Sequence, residues 1–374
     1  MPSADDFSLP AWAYTDPEFL TLERERIFRP SWQVICHLSE IPNPGDYQCF
    51  DFIGEMLFAL RGNDGVVRVF HNVCRHRAAR LLDGPRGSCT RRIICPYHAW
   101  SYDFDGMLKN APFTDELEDF EQGCFGLKSV RLAVVEGLVL IDLSGEAPSP
   151  AEHVGGLAEH LAHYRTGELR RVERVTYEVE ANWKAIAENY SECLHCPGVH
   201  PELNRLSHYL SGDTLTGPGA WCGGSMVLAD GADTMAKNGG AAHRPAIAGL
   251  SEDDQRAVLY FLLFPNTLVS LHPDYVMLHT LWPRATDRTE VICEWFFEPA
   301  TADAPGFDGS DAVAFWDQVN REDWHVCRLA QLGMSSRHYQ PGRYTTQEDD
   351  VHEFDVMVAD RYLEALATPA EVTP

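Results

Sequence analysis

Four residues in one short segment have the types and spacing of metal ligands. Cys74-x-His76 and Cys95-x-x-His98 are separated by 18 residues. Soft thiolates and borderline imidazoles together suit zinc or an iron–sulfur cluster. Zinc fingers usually pair like with like, a cysteine couple and then a histidine couple. Here each half supplies one of each, which fits a cluster with two cysteines on one iron and two histidines on the other. The six arginines of the same segment, Cys74 to Trp100, would then serve the cluster, because nearby positive charge raises its potential and offsets its anionic sulfides. Cys89 matches no ligand position and reads as a spare thiol.

A second set lies downstream. Such a cluster moves single electrons and has no open coordination position, so any chemistry needs another centre. The segment from Ala181 to Cys196 has helical spacing, with Glu188, Glu192 and His195 at i, i+4 and i+7 on one face. Carboxylates and an imidazole in one stripe are costly to bury without a metal or partners. Pro197 and Gly198 are expected to end that helix and let the chain offer His200 beside His195. In DAVAFWDQVNREDWHVCRLAQ an apolar stripe of Trp316, Val319, Val326, Cys327 and Ala330 encloses Asp323. Two histidines and a carboxylate would form the facial triad of a non-heme iron site with positions left for O2 and substrate. Glu322 is the alternative carboxylate. Glu192-x-x-His195 and Glu322-x-x-His325 also read as a di-iron pair, but that site needs four long facing helices, and strands interrupt this region.

The segment C-R-H-R…C-P-Y-H-A-W resembles the Rieske fingerprint of the ring-hydroxylating oxygenase alpha subunits. N-W-K…E-N-Y-S-E-C-L-H-C-P-G-V-H-P resembles that family's mononuclear-iron motif, and Q-V-N-R-E-D-W resembles the segment with its third ligand. The resemblance implies that Cys74, His76, Cys95 and His98 bind a [2Fe–2S] cluster and that His195, His200 and Asp323 bind one iron. It implies a catalytic role for Glu192, as a bridge for electrons between subunits, and for Glu188 and Asn189 beside it. The family's usual bridging aspartate is Glu192 here, a substitution associated with its branch acting on carnitine and glycine betaine. The implied activity is O2-dependent hydroxylation, or dealkylation, of a small molecule such as a quaternary ammonium compound. The alternatives are an aromatic dioxygenase or demethylase, and an electron-transfer or redox-sensing protein. The implied partners are a separate flavin/2Fe–2S reductase drawing on NAD(P)H and, in a homotrimer, further copies of the chain.

The elements that must position these residues are legible in outline. Alternating runs such as WQVICHL, YQCFDFIG, EMLFALRG and VVRVF, punctuated by PNPGD and GNDG, predict antiparallel strands. Residues 36–145 therefore read as an all-β Rieske-type domain. Residues 1–35 read as a segment packing on a catalytic domain at 146–374. In that domain several strands precede two helices without βαβ alternation, which predicts α+β with a helix-grip-like catalytic half. The Gly-, Ala- and Asp-rich stretch at 211–249 reads as a long loop. Trp221, Tyr260 and Tyr275 are candidate walls of a cage for a cation, and Asp350 and His352 in the final helix read as a solvated face or a cap.

At 374 residues, 45% apolar and 23% charged, the composition is that of a globular chain. Lys and Arg total 30 against 56 Asp and Glu, a net charge of −26, which argues against nucleic acid and anionic membranes. No apolar run reaches the roughly 18 residues of a membrane span, and the N-terminus lacks a signal peptide's basic and apolar regions. Eleven cysteines in a chain read as cytoplasmic are expected to be reduced thiols. No G-x-G-x-x-G or P-loop appears, so electrons must come from a separate protein.

Overall fold

The computed structural model describes residues 6–367. They fall into two compact units, 34–146 and the remainder, in which the N-terminal residues to 33 join those from 147 onward.

The smaller unit is built on hairpins. Strands β1 (Gln33–His37), β2 (Asp46–Phe52), β3 (Glu55–Arg61), β4 (Val67–His71), β5 (Arg86–Ser88), β6 (Ile93–Ile94), β7 (Ser101–Tyr102), β8 (Leu108–Asn110), β9 (Ser129–Val135) and β10 (Leu138–Asp142) follow in chain order. Seven form one sheet in the order β1-β10-β9-β4-β3-β2-β5, and β6-β7-β8 form a second. Phe52 pairs with Glu55 across Ile53-Gly54, and Val135 with Leu138 across Glu136-Gly137. All four turn residues have φ between 44° and 91°. These are two-residue primed turns, whose twist matches that of the strands they join. Phe58, Leu60, Phe70, Ile93, Trp100 and Tyr102 make a core that also takes in Cys74 and Cys95.

The larger unit carries β11 (Arg170–Val179), β12 (Asp213–Leu215), β13 (Trp221–Val227), β14 (Ala257–Leu263), β15 (Thr267–Leu271), β16 (Val276–Ala285) and β17 (Arg288–Phe297). They form one antiparallel sheet in the order β11-β17-β16-β15-β14-β13-β12. Every residue of β15 is buried, as suits a central strand. The Ser310–Met334 helix packs on β11 and on the Trp183–Tyr190 helix, and the Asp349–Ala367 helix packs on that short helix and on β13. No helix among the described residues is long and apolar enough to cross a membrane. The architecture is the α+β arrangement expected.

Three local expectations are corrected. The stretch 211–249 is not one loop, because it contains β12 and β13. Glycines disguised β13, and the packing requires them: a Cβ on Gly223 would lie 2.1 Å from the Tyr260 carbonyl oxygen, and one on Gly224 2.6 Å from that of Asp213. On the Ser310–Met334 helix Ala330 is exposed and Gln331 is buried, since the Gln331 amide oxygen accepts the Asn182 backbone N–H at 2.8 Å. Finally, Cys193 and Cys196 form a disulfide, whereas the other nine cysteines are free.

Candidate metal centres and cavity

The two cysteine–histidine loops share one backbone pattern. The Cys74 N–H donates to the Ala79 carbonyl and the Cys95 N–H to that of Trp100, each at 2.8 Å. Ala78 and Ala99, both at φ 56°, donate back to the cysteine carbonyls. In this common frame the histidine stands two residues after the cysteine in one loop and three in the other. Cys74 and Cys95 are buried, His76 is exposed and His98 half-buried. The imidazoles lie 4.7 Å apart by centroid, and His76 stacks on Trp100 at 4.8 Å. The Cys74 sulfur lies 3.3 Å from the Tyr102 hydroxyl, and that hydroxyl accepts the Arg75 N–H. Two inner thiols and two outer imidazoles fit a mixed-ligand cluster, while Cys89 packs against the same core and bonds through its backbone to Gly45.

The second ligand set is placed differently from the helical reading. The helix stops at Tyr190, and Glu192 and His195 lie in the turn beyond it. Ser191 caps the helix end, its hydroxyl donating to the Ala187 carbonyl at 2.8 Å. The Glu192 carboxylate then accepts the backbone N–H groups of Leu194 and His195. Side chains that bond nearby backbone compete with the helix in this way. Pro197 does not terminate a helix but stands second in the next, Cys196–Val199, in a first turn that has no use for its missing N–H.

One potential ligand atom from each of His195, His200 and Asp323 falls within 4.8 Å of the others. Asp323 Oδ1 lies 2.7 Å from His200 Nε2 and 3.4 Å from His195 Nε2. Each ring turns its other nitrogen to an outer carboxylate: His195 Nδ1 to Glu192 at 2.6 Å and His200 Nδ1 to Glu322 at 2.7 Å. Glu322, the alternative ligand, therefore orients His200. Outer carboxylates of this kind fix the tautomer and raise the basicity of a metal-bound histidine. Burial opposes a charge on His195, but its bonds to Asp323 and Glu192 win and lift its pKa to about 9. Burial would raise the Asp323 pKa, and the two imidazoles outweigh it and hold it low. The histidine of the second E-x-x-H copy, His325, is exposed on the helix, so no di-iron arrangement forms.

These residues open on a cavity of about 180 Å³. Asn189, Glu192, Tyr190, Tyr209, Tyr260 and Trp316 are among its lining residues. Glu188 is not. Its carboxylate accepts the Tyr14 hydroxyl at 2.6 Å, and burial, with Asp355 beside it, pushes its pKa well up. Of the three proposed cage aromatics only Tyr260 reaches the cavity. Trp221 donates to the Pro218 carbonyl and packs on Phe261, and Tyr275 is buried, donating to the Met235 carbonyl. Asp350 is half-buried and lines the cavity rather than a plain surface face. His352, by contrast, pairs with Asp6 at 3.5 Å.

Residues 166–364 match the catalytic domain of the ring-hydroxylating alpha subunits, and residues 31–121 match the Rieske [2Fe–2S] domain. The carnitine monooxygenase oxygenase subunit of Escherichia coli K12 is 36% identical over 89% of this chain and 86% of its own length. The glycine betaine monooxygenase oxygenase subunit of Pseudomonas aeruginosa PAO1 is 28% identical over 96% and 90%. The crystal structure of the quaternary ammonium Rieske monooxygenase CntA with L-carnitine matches with a TM-score of 0.81, at 27% identity over 95% of both chains. The chain belongs to the Rieske ring-hydroxylating oxygenase family, as an oxygenase component that pairs a [2Fe–2S] domain with a mononuclear-iron catalytic domain.

Proposed function

We propose that this oxygenase hydroxylates a small quaternary ammonium compound, with loss of an alkyl group where the hydroxyl enters beside nitrogen. The observation that carries the reading is the cavity itself, where aromatic rings and carboxylates meet the His195–His200–Asp323 set with no lysine or arginine among the described lining residues. Rings and carboxylates suit a cation. The relatives named for carnitine and glycine betaine support the same class.

In this reading Cys74, Cys95, His76 and His98 hold the cluster, and His195, His200 and Asp323 hold the iron. When bound, these groups supply single electrons and O2 activation. The chain's own residues do the rest. Glu192 orients His195 and, as the carboxylate between the two centres of neighbouring subunits, carries the electron route across a homotrimer. Glu322 holds His200. Asn189 lines the wall, and Glu188 braces the helix before the ligand turn from outside the cavity. Electrons come from NAD(P)H through a separate reductase.

The test is metal content together with turnover. A fully loaded chain should hold about three irons and two sulfides. Glu192→Ala, held at full loading by excess ferrous iron because His195 loses its outer carboxylate, should lose nearly all product formation with a quaternary ammonium substrate. Full activity in the iron-replete variant would remove the bridging role, and about two irons per loaded chain would remove the catalytic centre.

A further inference from the structure

The cavity distinguishes among quaternary ammonium compounds by its charge. Apart from the iron set and Glu192, its carboxylates are Asp213 and Asp350. Asp350 stands in the first turn of the Asp349–Ala367 helix. Its carboxylate accepts the Gly223 backbone N–H, has Asp349 and Glu353 nearby, and enters no ion pair among the described residues. Asp350 is half-buried, and a partly desolvated carboxylate without a counter-charge favours an incoming cation. Burial, with Asp349 and Glu353 beside it, raises the Asp350 pKa to about 6. Tyr260 adds a second observation from a different element. It lines the cavity, and its buried hydroxyl has no hydrogen-bond partner among the described residues.

A zwitterion would bring its own carboxylate into this space. It would find one uncommitted hydroxyl there, no lysine or arginine among the described lining residues, and two like charges away from the iron set. A carboxylate left without a counter-ion beside other carboxylates is disfavoured by both desolvation and repulsion. We infer that the substrate is a small quaternary ammonium cation without a carboxylate, its head group against Asp350 and the rings of Tyr209, Tyr260 and Trp316, with a hydroxyl to Tyr260. Glycine betaine and carnitine, which carry carboxylates, are then poor ligands. This rests on the quaternary ammonium reading above and sharpens it.

The experiment is anaerobic calorimetric titration of the iron-loaded protein with choline, tetramethylammonium, glycine betaine, L-carnitine, naphthalene and 3,3-dimethylbutanol, the uncharged isostere of choline. Choline should bind at least tenfold more tightly than either zwitterion. Asp350→Asn should weaken choline about tenfold and leave 3,3-dimethylbutanol unchanged. An asparagine oxygen can still accept the Gly223 N–H, so the fold is preserved. Tyr260→Phe should weaken choline but not tetramethylammonium. Zwitterions bound as tightly as choline would overturn the inference and leave the quaternary ammonium reading standing. Naphthalene bound in preference to every cation would overturn both. Unchanged choline affinity in Asp350→Asn would remove Asp350 as the anchor, and the comparison of ligands on the unmutated protein does not depend on any variant.

Discussion

Glu322 sits one residue before a proposed iron ligand, yet it reaches a different partner, His200 Nδ1 at 2.7 Å. Its second oxygen accepts the Gln318 amide at 2.9 Å, so the carboxylate is held at both ends. Removing an outer-shell carboxylate of this kind typically costs 10- to 100-fold in metal affinity. Glu322→Ala should therefore lose mononuclear iron during dialysis against a chelator while its acid-labile sulfide stays constant. Equal loss of iron and sulfide would mean general unfolding. Spacing alone could not assign this role, because Glu322 and Asp323 are neighbours on one helix and only the position of His200, more than 120 residues earlier, separates them. The proposed cluster ligands, by contrast, all lie within 25 residues, and their types alone suggest the chemistry. Asp350 was not legible, because the cavity that gives it meaning is assembled from segments far apart in the chain.

Among the elements, the short Trp183–Tyr190 helix bears the most weight for its length. Asn182 caps it, accepting the Lys184 N–H at 3.0 Å, and its amide donates to the carbonyls of Tyr14 and Thr286. One side chain thus ties the helix to the N-terminal segment and to the β16–β17 turn. A cap is worth about 0.5–2 kcal/mol and each further buried hydrogen bond about 1 kcal/mol. Asn182→Ala should destabilise the protein by roughly 2–4 kcal/mol on these values, read as a lower urea midpoint. An unchanged midpoint would mean that water replaces all three bonds. The same helix shows where periodicity misleads. Its apolar spacing continues past Tyr190 in the sequence, but Ser191 and Glu192 spend their side chains on the backbone, and the chain turns. Strands with clean alternation, such as β2 and β11, were readable. β13 was not, because its identity rests on contacts to β14 rather than on its own side chains.

At the scale of the larger unit, the N- and C-terminal segments meet on a buried polar cluster. Glu23 pairs with Lys184 and accepts from Tyr362 and from the Trp183 indole. Nearby, Tyr344 donates to Asp355. Burial raises Asp355 to a pKa of about 6, and Glu188, its neighbour, is raised as well. An acid whose folded pKa exceeds its unfolded value contributes stability at low pH that is lost as pH rises through the folded value. For Asp355 the window runs from about 4 to about 6. His153 and His279, pushed by burial down to about 4, act in the opposite sense, so the comparison must be differential. Relative to the unmutated protein, Asp355→Asn should gain stability between pH 4 and pH 7, by about 1.4 kcal/mol for each tenfold loss of acidity that burial imposes on the carboxyl. Denaturation curves at the two pH values would show it, and parallel behaviour would mean that Asp355 is already ionised without cost.

The glycine wall of the cavity bears on how such an enzyme could change its diet. Any side chain at Gly223 or Gly224 would run into the backbone of a neighbouring strand, so selection has no single step available there. Leu203, Met226, Leu262 and Val319 line the same space with ordinary side chains that can be exchanged one at a time. New substrates would thus be acquired by re-facing the movable walls, while the bare one stays as an inherited floor plan.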